Sequence, residues 1–225
     1  MKKFNVILLL FISFFIFSCN KSNEVVAPQT GTQPSAQPSV PEFNESNSTK
    51  VSWDQLPEKM KNAIPIDTAS PVAARSNGAA RSLYSQYTYS TGPWGGNGGS
   101  YYSIAPPNGS RIYAIAIRSG AYIDRLTVWY VTSNGTIYVG GNTGGNGGAY
   151  YLQYFSADEY IYAVTGGAYK LVDRLTFYTN KKWFRYGGSG GVPFQPYVRP
   201  NHQILGFYGR SGIYLDQIGF YIYSI

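Results

Sequence analysis

From residue 85 to its end, the chain predicts an all-β domain with internal threefold symmetry. Three observations predict it. Three glycine clusters recur: Gly95-Gly96-Asn97-Gly98-Gly99, Gly144-Gly145-Asn146-Gly147-Gly148 and Gly187-Gly188-Ser189-Gly190-Gly191. An aspartate follows the last glycine of each cluster at the same interval of 25 residues, giving Asp124, Asp173 and Asp216. Apolar residues then stand in the same phase around each aspartate. Leu126, Leu175 and Ile218 come two after it, Val128, Phe177 and Phe220 four after, and Ile115, Val164 and Phe207 nine before. A period of two belongs to strands, and self-similarity of this kind marks a repeated structural unit. Each unit reads as a glycine turn, a strand pair, a short loop ending in Asp, and a returning strand. Two architectures meet that description: a β-prism of three four-stranded Greek-key sheets, and a β-trefoil.

The elements before the domain follow in order. Met1-Lys2-Lys3 is a short positive segment, Asn5 to Phe17 is almost wholly apolar, and Ser18-Cys19 ends it. This is too short for a spanning helix and predicts an export signal over residues 1–19. Cys19 is the only cysteine, so no intramolecular disulfide is available. A small residue and then Cys after an apolar run resembles the lipobox of bacterial lipoproteins. That resemblance implies a lipidated Cys19, a membrane partner through the lipid, and a place in the cell envelope, expected at the outer membrane, with surface exposure open.

Residues 20–50 are rich in Pro, Ser, Gln, Thr and Asn and poor in large apolar side chains. Such a segment buries too little surface to offset its ordering entropy, and predicts a disordered tether. Residues 51–84 predict a short helix and a linker. Trp53, Leu56, Met60 and Ile64 recur at three- and four-residue steps within Ser52–Ile64, although Pro57 fits a helix only in its first turn. The boundary near residue 85 is sharp, because all 22 Tyr lie at or beyond Tyr84. Within 85–225 the runs Arg111–Arg118, Leu126–Val131, Leu175–Thr179 and Ile218–Ile222 are rich in β-branched and aromatic residues and predict strands.

Gly92-Pro93-Trp94-Gly95-Gly96-Asn97-Gly98-Gly99 near the start of the domain and Gly212-Ile213-Tyr214-Leu215-Asp216 near its end resemble the motifs of jacalin-related lectins. A second Gly-x-x-x-Asp loop, Gly120 to Asp124, fits as well. The resemblance covers about residues 90–225 and favours the prism over the trefoil. It implies carbohydrate binding without metal, cofactor or catalysis, with the Asp loop of the last repeat working beside the glycine cluster of the first. Carried over, a first site uses Asp216, Gly212, the backbone of Ile213, Tyr214 and Leu215, and Gly99. A second uses Asp124, Gly120, the backbone of Ala121 and Tyr122, and Gly148. A third, of Asp173 and Gly191, departs from the pattern, because Tyr169 stands where the others have Gly. The expectation is that this residue blocks the tight loop. The uncut segment before the first glycine cluster implies mannose- or glucose-type glycans rather than galactose.

The residue types suit that chemistry. An ionised carboxylate accepts hydrogen bonds from two sugar hydroxyls at once, and charge-assisted bonds are the strong ones. Glycines opposite it remove side chains and let a ligand reach main chain. The expectation is a shallow exposed cup shared by each Asp and its cluster, while Arg118 and Arg210, six residues before two of the aspartates, read as solvated surface groups.

Other functions find little support. The one histidine, His202, argues against a metal or nucleophilic site. Asp158-Glu159 is the only adjacent acidic pair after residue 85 and lies in a surface-turn sequence, not across a bond to be cleaved. From residue 85 onward there are ten Lys and Arg against five Asp and Glu, without basic clusters, which does not point to nucleic acid. The alternative to a lectin is an envelope interaction module that keeps the fold, has lost sugar binding, and docks a partner through exposed tyrosines and Ser52–Ile64. Both readings are compatible with a homo-oligomer.

Overall fold

The computed structural model describes residues 49–66 and 86–225. The leader, Cys19, residues 20–48 and residues 67–85 lie outside the described residues. The elements run β1 (Thr49–Lys50), a 3-10 turn (Trp53–Gln55), α1 (Glu58–Lys61), β2 (Ile64–Pro65), β3 (Tyr89–Gly95), β4 (Ser100–Ile104) and β5 (Ser110–Ser119). They continue with β6 (Ile123–Thr132), β7 (Ile137–Gly144), β8 (Ala149–Tyr154), β9 (Ile161–Ala168), β10 (Val172–Thr179) and β11 (Trp183–Gly187). β12 (Val192–Phe194), β13 (His202–Ser211) and β14 (Leu215–Ser224) close the chain.

These strands form three equivalent four-stranded Greek keys, in the orders β8-β5-β6-β7, β12-β9-β10-β11 and β4-β13-β14-β3. The fold is the β-prism I, as the repeats and the resemblance together predict. In each unit the residue after the aspartate pairs with the first glycine of a cluster: Arg125 with Gly144, Arg174 with Gly187, Gln217 with Gly95. The third sheet takes two strands from each end of the domain. The symmetry therefore closes only when the first cluster returns to the last aspartate. A single pairing, Ile204 with Ile161, joins the second and third sheets.

The core lies where the strand period places it. Leu126, Leu175, Ile218, Val128, Phe177, Phe220, Val164 and Phe207 are fully buried, and Ile115 nearly so. Phe207 sits between Phe177 and Phe220, with ring centroids 6.5 and 6.0 Å away in edge-to-face contact. Such contacts add to the area term that dominates core stability.

Residues 49–66 differ from the single helix that their periodicity predicts. Pro57 divides them into the 3-10 turn and the one-turn α1. Ile64 is exposed and belongs to β2, which runs parallel to β7, while β1 pairs with β8. The segment is a strap across the outer face of the first sheet. Leu56, Met60 and Ala63 are buried with Ala114, Ala116, Trp129, Tyr150 and Leu152. The Trp129 indole donates to the Met60 carbonyl at 3.1 Å. The helical period failed because a proline removes a backbone donor and because the sheet edges on either side offered unpaired main chain.

Candidate functional site

The three Asp loops join β5 to β6, β9 to β10 and β13 to β14, and the three glycine clusters join β7 to β8, β11 to β12 and β3 to β4. The register brings each loop beside one cluster. The Asp124 carbonyl accepts from the Gly145 N–H at 3.0 Å, that of Asp173 from Gly188 at 2.9 Å, and that of Asp216 from Gly96 at 2.9 Å. The carboxylates then face the third and fourth glycines of the clusters. A Cβ added at Gly98 would lie 2.2 Å from Asp216 Oδ1, one at Gly147 2.3 Å from Asp124 Oδ1, and one at Gly190 2.5 Å from Asp173 Oδ1. No Cβ fits at those separations, so the glycines are there for close approach. The last glycine of each cluster, Gly99, Gly148 or Gly191, turns the chain at positive φ. The expected partners Asp216 with Gly99, Asp124 with Gly148, and Asp173 with Gly191 are thus neighbours.

Each loop also touches the next cluster. A Cβ at Gly96 would strike the Lys170 carbonyl, one at Gly145 that of Ile213, and one at Gly188 that of Ala121. Loops and clusters alternate in a closed ring at one end of the prism. Within it Tyr122 and Tyr214 meet edge to face, with centroids 5.6 Å apart.

The three carboxylates differ in setting. Asp216 is half-buried, and its Oδ2 is enclosed with no hydrogen-bond partner among the described residues. Gly212, Ile213 and Tyr214 form an exposed rim around it, while Leu215 turns its side chain into the core and contributes main chain only. Asp124 is only 5 % exposed, deeper than the shallow cup that the sequence predicts. Gly147, Gly148 and the Gly120 amide crowd it, and burial raises its pKa, against the opposing effects of the Gly120 amide and Arg118. Asp173 is half-buried, and burial raises its pKa also, with Arg174 opposing.

Tyr169 does not block its loop. Its N–H donates to the Leu171 carbonyl at 3.0 Å, as Gly120 does to Tyr122 at 3.0 Å and Gly212 to Tyr214 at 2.9 Å. None of these three residues has positive φ, so the turn does not require glycine. The Tyr169 ring goes to solvent, 69 % exposed, and stands where the other two loops carry no side chain.

Two arginines have a role that sequence reasoning missed. Arg210 donates to the carbonyls of Gly98 and Gly99 at 2.9 and 2.7 Å, and Arg118 to those of Asn146 and Gly148 at 3.0 and 3.3 Å. They brace the clusters rather than standing free in solvent. Their equal distance before Asp216 and Asp124 was the available signal. In the third unit Gly167 takes that position, and a Cβ there would strike the Gly190 carbonyl.

The remaining polar candidates are structural. Glu159 is buried and accepts from the Thr179 hydroxyl at 2.8 Å and the Ser156 N–H at 3.0 Å, with Lys182 3.3 Å away. Among the described residues no cluster of His, Cys, Asp and Glu could hold a metal ion.

Comparison with known proteins gives the family and the fold. The jacalin-like lectin domain matches residues 91–221. Horcolin of Hordeum vulgare is 37 % identical over 138 residues, which covers 58 % of this chain and 94 % of horcolin. Malaysian banana lectin superposes with a TM-score of 0.56 at 31 % identity, covering 61 % of this chain and 99 % of its own. A mannose-binding jacalin-related lectin from Ananas comosus superposes at 0.55 with 33 % identity, covering 61 % and 98 %. The matched segment is more than half of this chain and takes in all three carboxylate loops and their glycine clusters, so the chain belongs to the jacalin-like lectin family, which is not one of enzymes.

Proposed function

We propose that the domain binds mannose- or glucose-type glycans at the ring of Asp loops, with Asp216 as the principal acceptor and Asp124 as a second. One observation carries this reading: Asp216 Oδ2 is enclosed without a hydrogen-bond partner among the described residues, beside a wall of Gly98 and Gly99 that has no side chains. A buried carboxylate oxygen without a donor is costly, and a sugar hydroxyl is a donor of the right kind. The named specificity of the Ananas comosus relative supports the sugar class, as does that of artocarpin, described as having mannose specificity. Single-site affinity is expected near millimolar, with avidity from adjoining sites or from many copies on a surface. Calorimetric titration with methyl mannoside tests the assignment. Wild type should bind and Asp216→Ala should lose most of the heat; identical isotherms on mannose and across a glycan array would sink it.

The same reading places the protein in a bacterial envelope, exported by residues 1–19 and anchored through a lipid on Cys19, with residues 20–50 as tether. Labelled fatty acid should enter the wild-type protein in cells and not Cys19→Ala; equal labelling, or none in either, removes the anchor. The alternative, an interaction module that docks through Ser52–Ile64, is weakened because Leu56 and Met60 of that segment are engaged with the domain's own sheet.

A further inference from the structure

A second polar site adjoins the Asp124 loop. Tyr150, Arg118 and Arg125 lie abreast across β8, β5 and β6, since Arg118 pairs in register with Tyr150 on one side and with Arg125 on the other. Side chains in one row of a sheet share a face. Two guanidinium groups therefore share one face, Arg125 donating through Nε and Nη2 to the Gly145 and Gly144 carbonyls at 2.9 and 3.0 Å, and like charges directly opposite each other repel. With Trp53, Thr127 and Asn146 they line a cavity of about 160 Å³, and no carboxylate is among its described lining residues. That volume equals roughly five water molecules' share of the liquid, room for a tetrahedral oxyanion of five heavy atoms.

A second, independent feature points to a ligand. Tyr150 is 94 % buried, being 6 % exposed, and its hydroxyl has no hydrogen-bond partner among the described residues. Arg118 lies over its ring, 5.3 Å from the centroid. Beyond its bonds to Asn146 and Gly148, the Arg118 guanidinium has Nε and Nη2 donors that meet no described acceptor. The other repeats lack the pair. Gly167 replaces the first arginine beside Arg174, and Gln217 replaces the second beside Arg210. The paired arginines are thus special to the repeat that the strap covers, and Trp53 of the strap forms one wall.

We propose that this cavity is an oxyanion site, formed by Arg118, Arg125 and Tyr150, which takes the sulfate, phosphate or carboxylate substituent of an acidic glycan seated at the Asp124 loop. The Nε–Nη2 edge of Arg118 suits such an anion because a planar N–H pair matches two oxygens at once, and Arg125 adds positive charge beside it. The buried Tyr150 hydroxyl supplies a neutral donor. The link to a glycan rests on the sugar-binding reading of Asp124, whereas the oxyanion site itself does not.

The test uses the full chain and four ligands at constant ionic strength: inorganic sulfate, inorganic phosphate, neutral methyl mannoside, and a mannoside carrying a sulfate or phosphate ester. Sulfate or phosphate should bind saturably and raise the melting temperature where chloride does not. Tyr150→Phe, which removes one oxygen and keeps the ring, should weaken that binding roughly tenfold, as expected for a hydrogen bond to a charged group. Tyr162→Phe, the same change on β9 of the second sheet and away from the cavity, should bind sulfate as wild type does. The acidic mannoside should bind wild type more tightly than the neutral one, and Tyr150→Phe should erase the difference. If neither anion acts beyond chloride, or if Tyr150→Phe binds them as wild type does, the oxyanion site is overturned. Anion binding without any preference for the acidic mannoside overturns the assignment to a glycan. Anion binding with no response to either mannoside overturns the sugar reading of the Asp124 loop and leaves the oxyanion site standing.

Discussion

Gly98→Ala separates fold from site more cleanly than removal of a carboxylate does. Gly98 is not at positive φ, so alanine adopts its backbone without strain. The new methyl would lie 2.2 Å from Asp216 Oδ1 and 3.0 Å from its Cγ, and no other atom comes as near. Ordinary contact begins near 3.4 Å, so the carboxylate must retreat by about 1.2 Å or rotate away. A carboxylate is the far end of a side chain and moves at little cost, so destabilisation should stay at the low end of the ~1–3 kcal/mol typical of overpacking. For a domain of this size that is a fall in melting temperature of about 3–5 °C per kcal/mol. Binding should suffer more. Two hydroxyls lose a charged acceptor, each such bond being worth roughly 1.5–3 kcal/mol, so affinity at this site should drop by about a hundredfold or more. Calorimetry with methyl mannoside and a thermal melt measure both. A variant that melts within a few degrees of wild type and binds sugar normally would refute the claim that Asp216 and Gly98 enclose the ligand.

Three further outcomes are expected. Arg210→Ala removes the bonds to the Gly98 and Gly99 carbonyls, so hydrogen exchange in residues 95–99 should quicken and sugar affinity should fall about tenfold without global unfolding. Asp124 and Asp173 have folded pKa values raised by burial above their ordinary 3.8; their protonated forms favour the native state below that pH, and this contribution is lost as pH rises through the folded values. Asp124→Asn should therefore stabilise the domain at neutral pH and reduce the loss on going from pH 4 to 7, which urea titrations at both pH values would measure. Met60→Ala opens space beneath the strap, where Met60 is 1 % exposed, and should cost about 2–5 kcal/mol, read as a lower denaturation midpoint with a red-shifted Trp129 emission.

Much of this protein was legible before its structure. The threefold unit, the strands and the core followed from spacing and alternation, because a strand's two faces impose period two on the residues themselves. Ile115, Leu126 and Val128 and their counterparts needed no tertiary information to be placed inside. Glycine beside carboxylate was legible as chemistry, and the pairing of Asp216 with Gly99 came from the family resemblance. Spacing alone would have joined Gly99 to Asp124, 25 residues on. Only the tertiary structure carries the pairing physically, through the register of Gln217 with Gly95, which closes the sheet between the two ends of the domain. Such long-range register leaves no local period to read. The same holds for the depth of Asp124, for the bracing by Arg118 and Arg210, and for the strap, where Pro57 and two unpaired sheet edges overrode a helical pattern. It holds too for the facing arginines of the first sheet: Arg118 and Arg125 are seven positions apart in sequence and become opposed charges only when β5 and β6 pair. Local periodicity sets what is buried; hydrogen-bond register sets what meets.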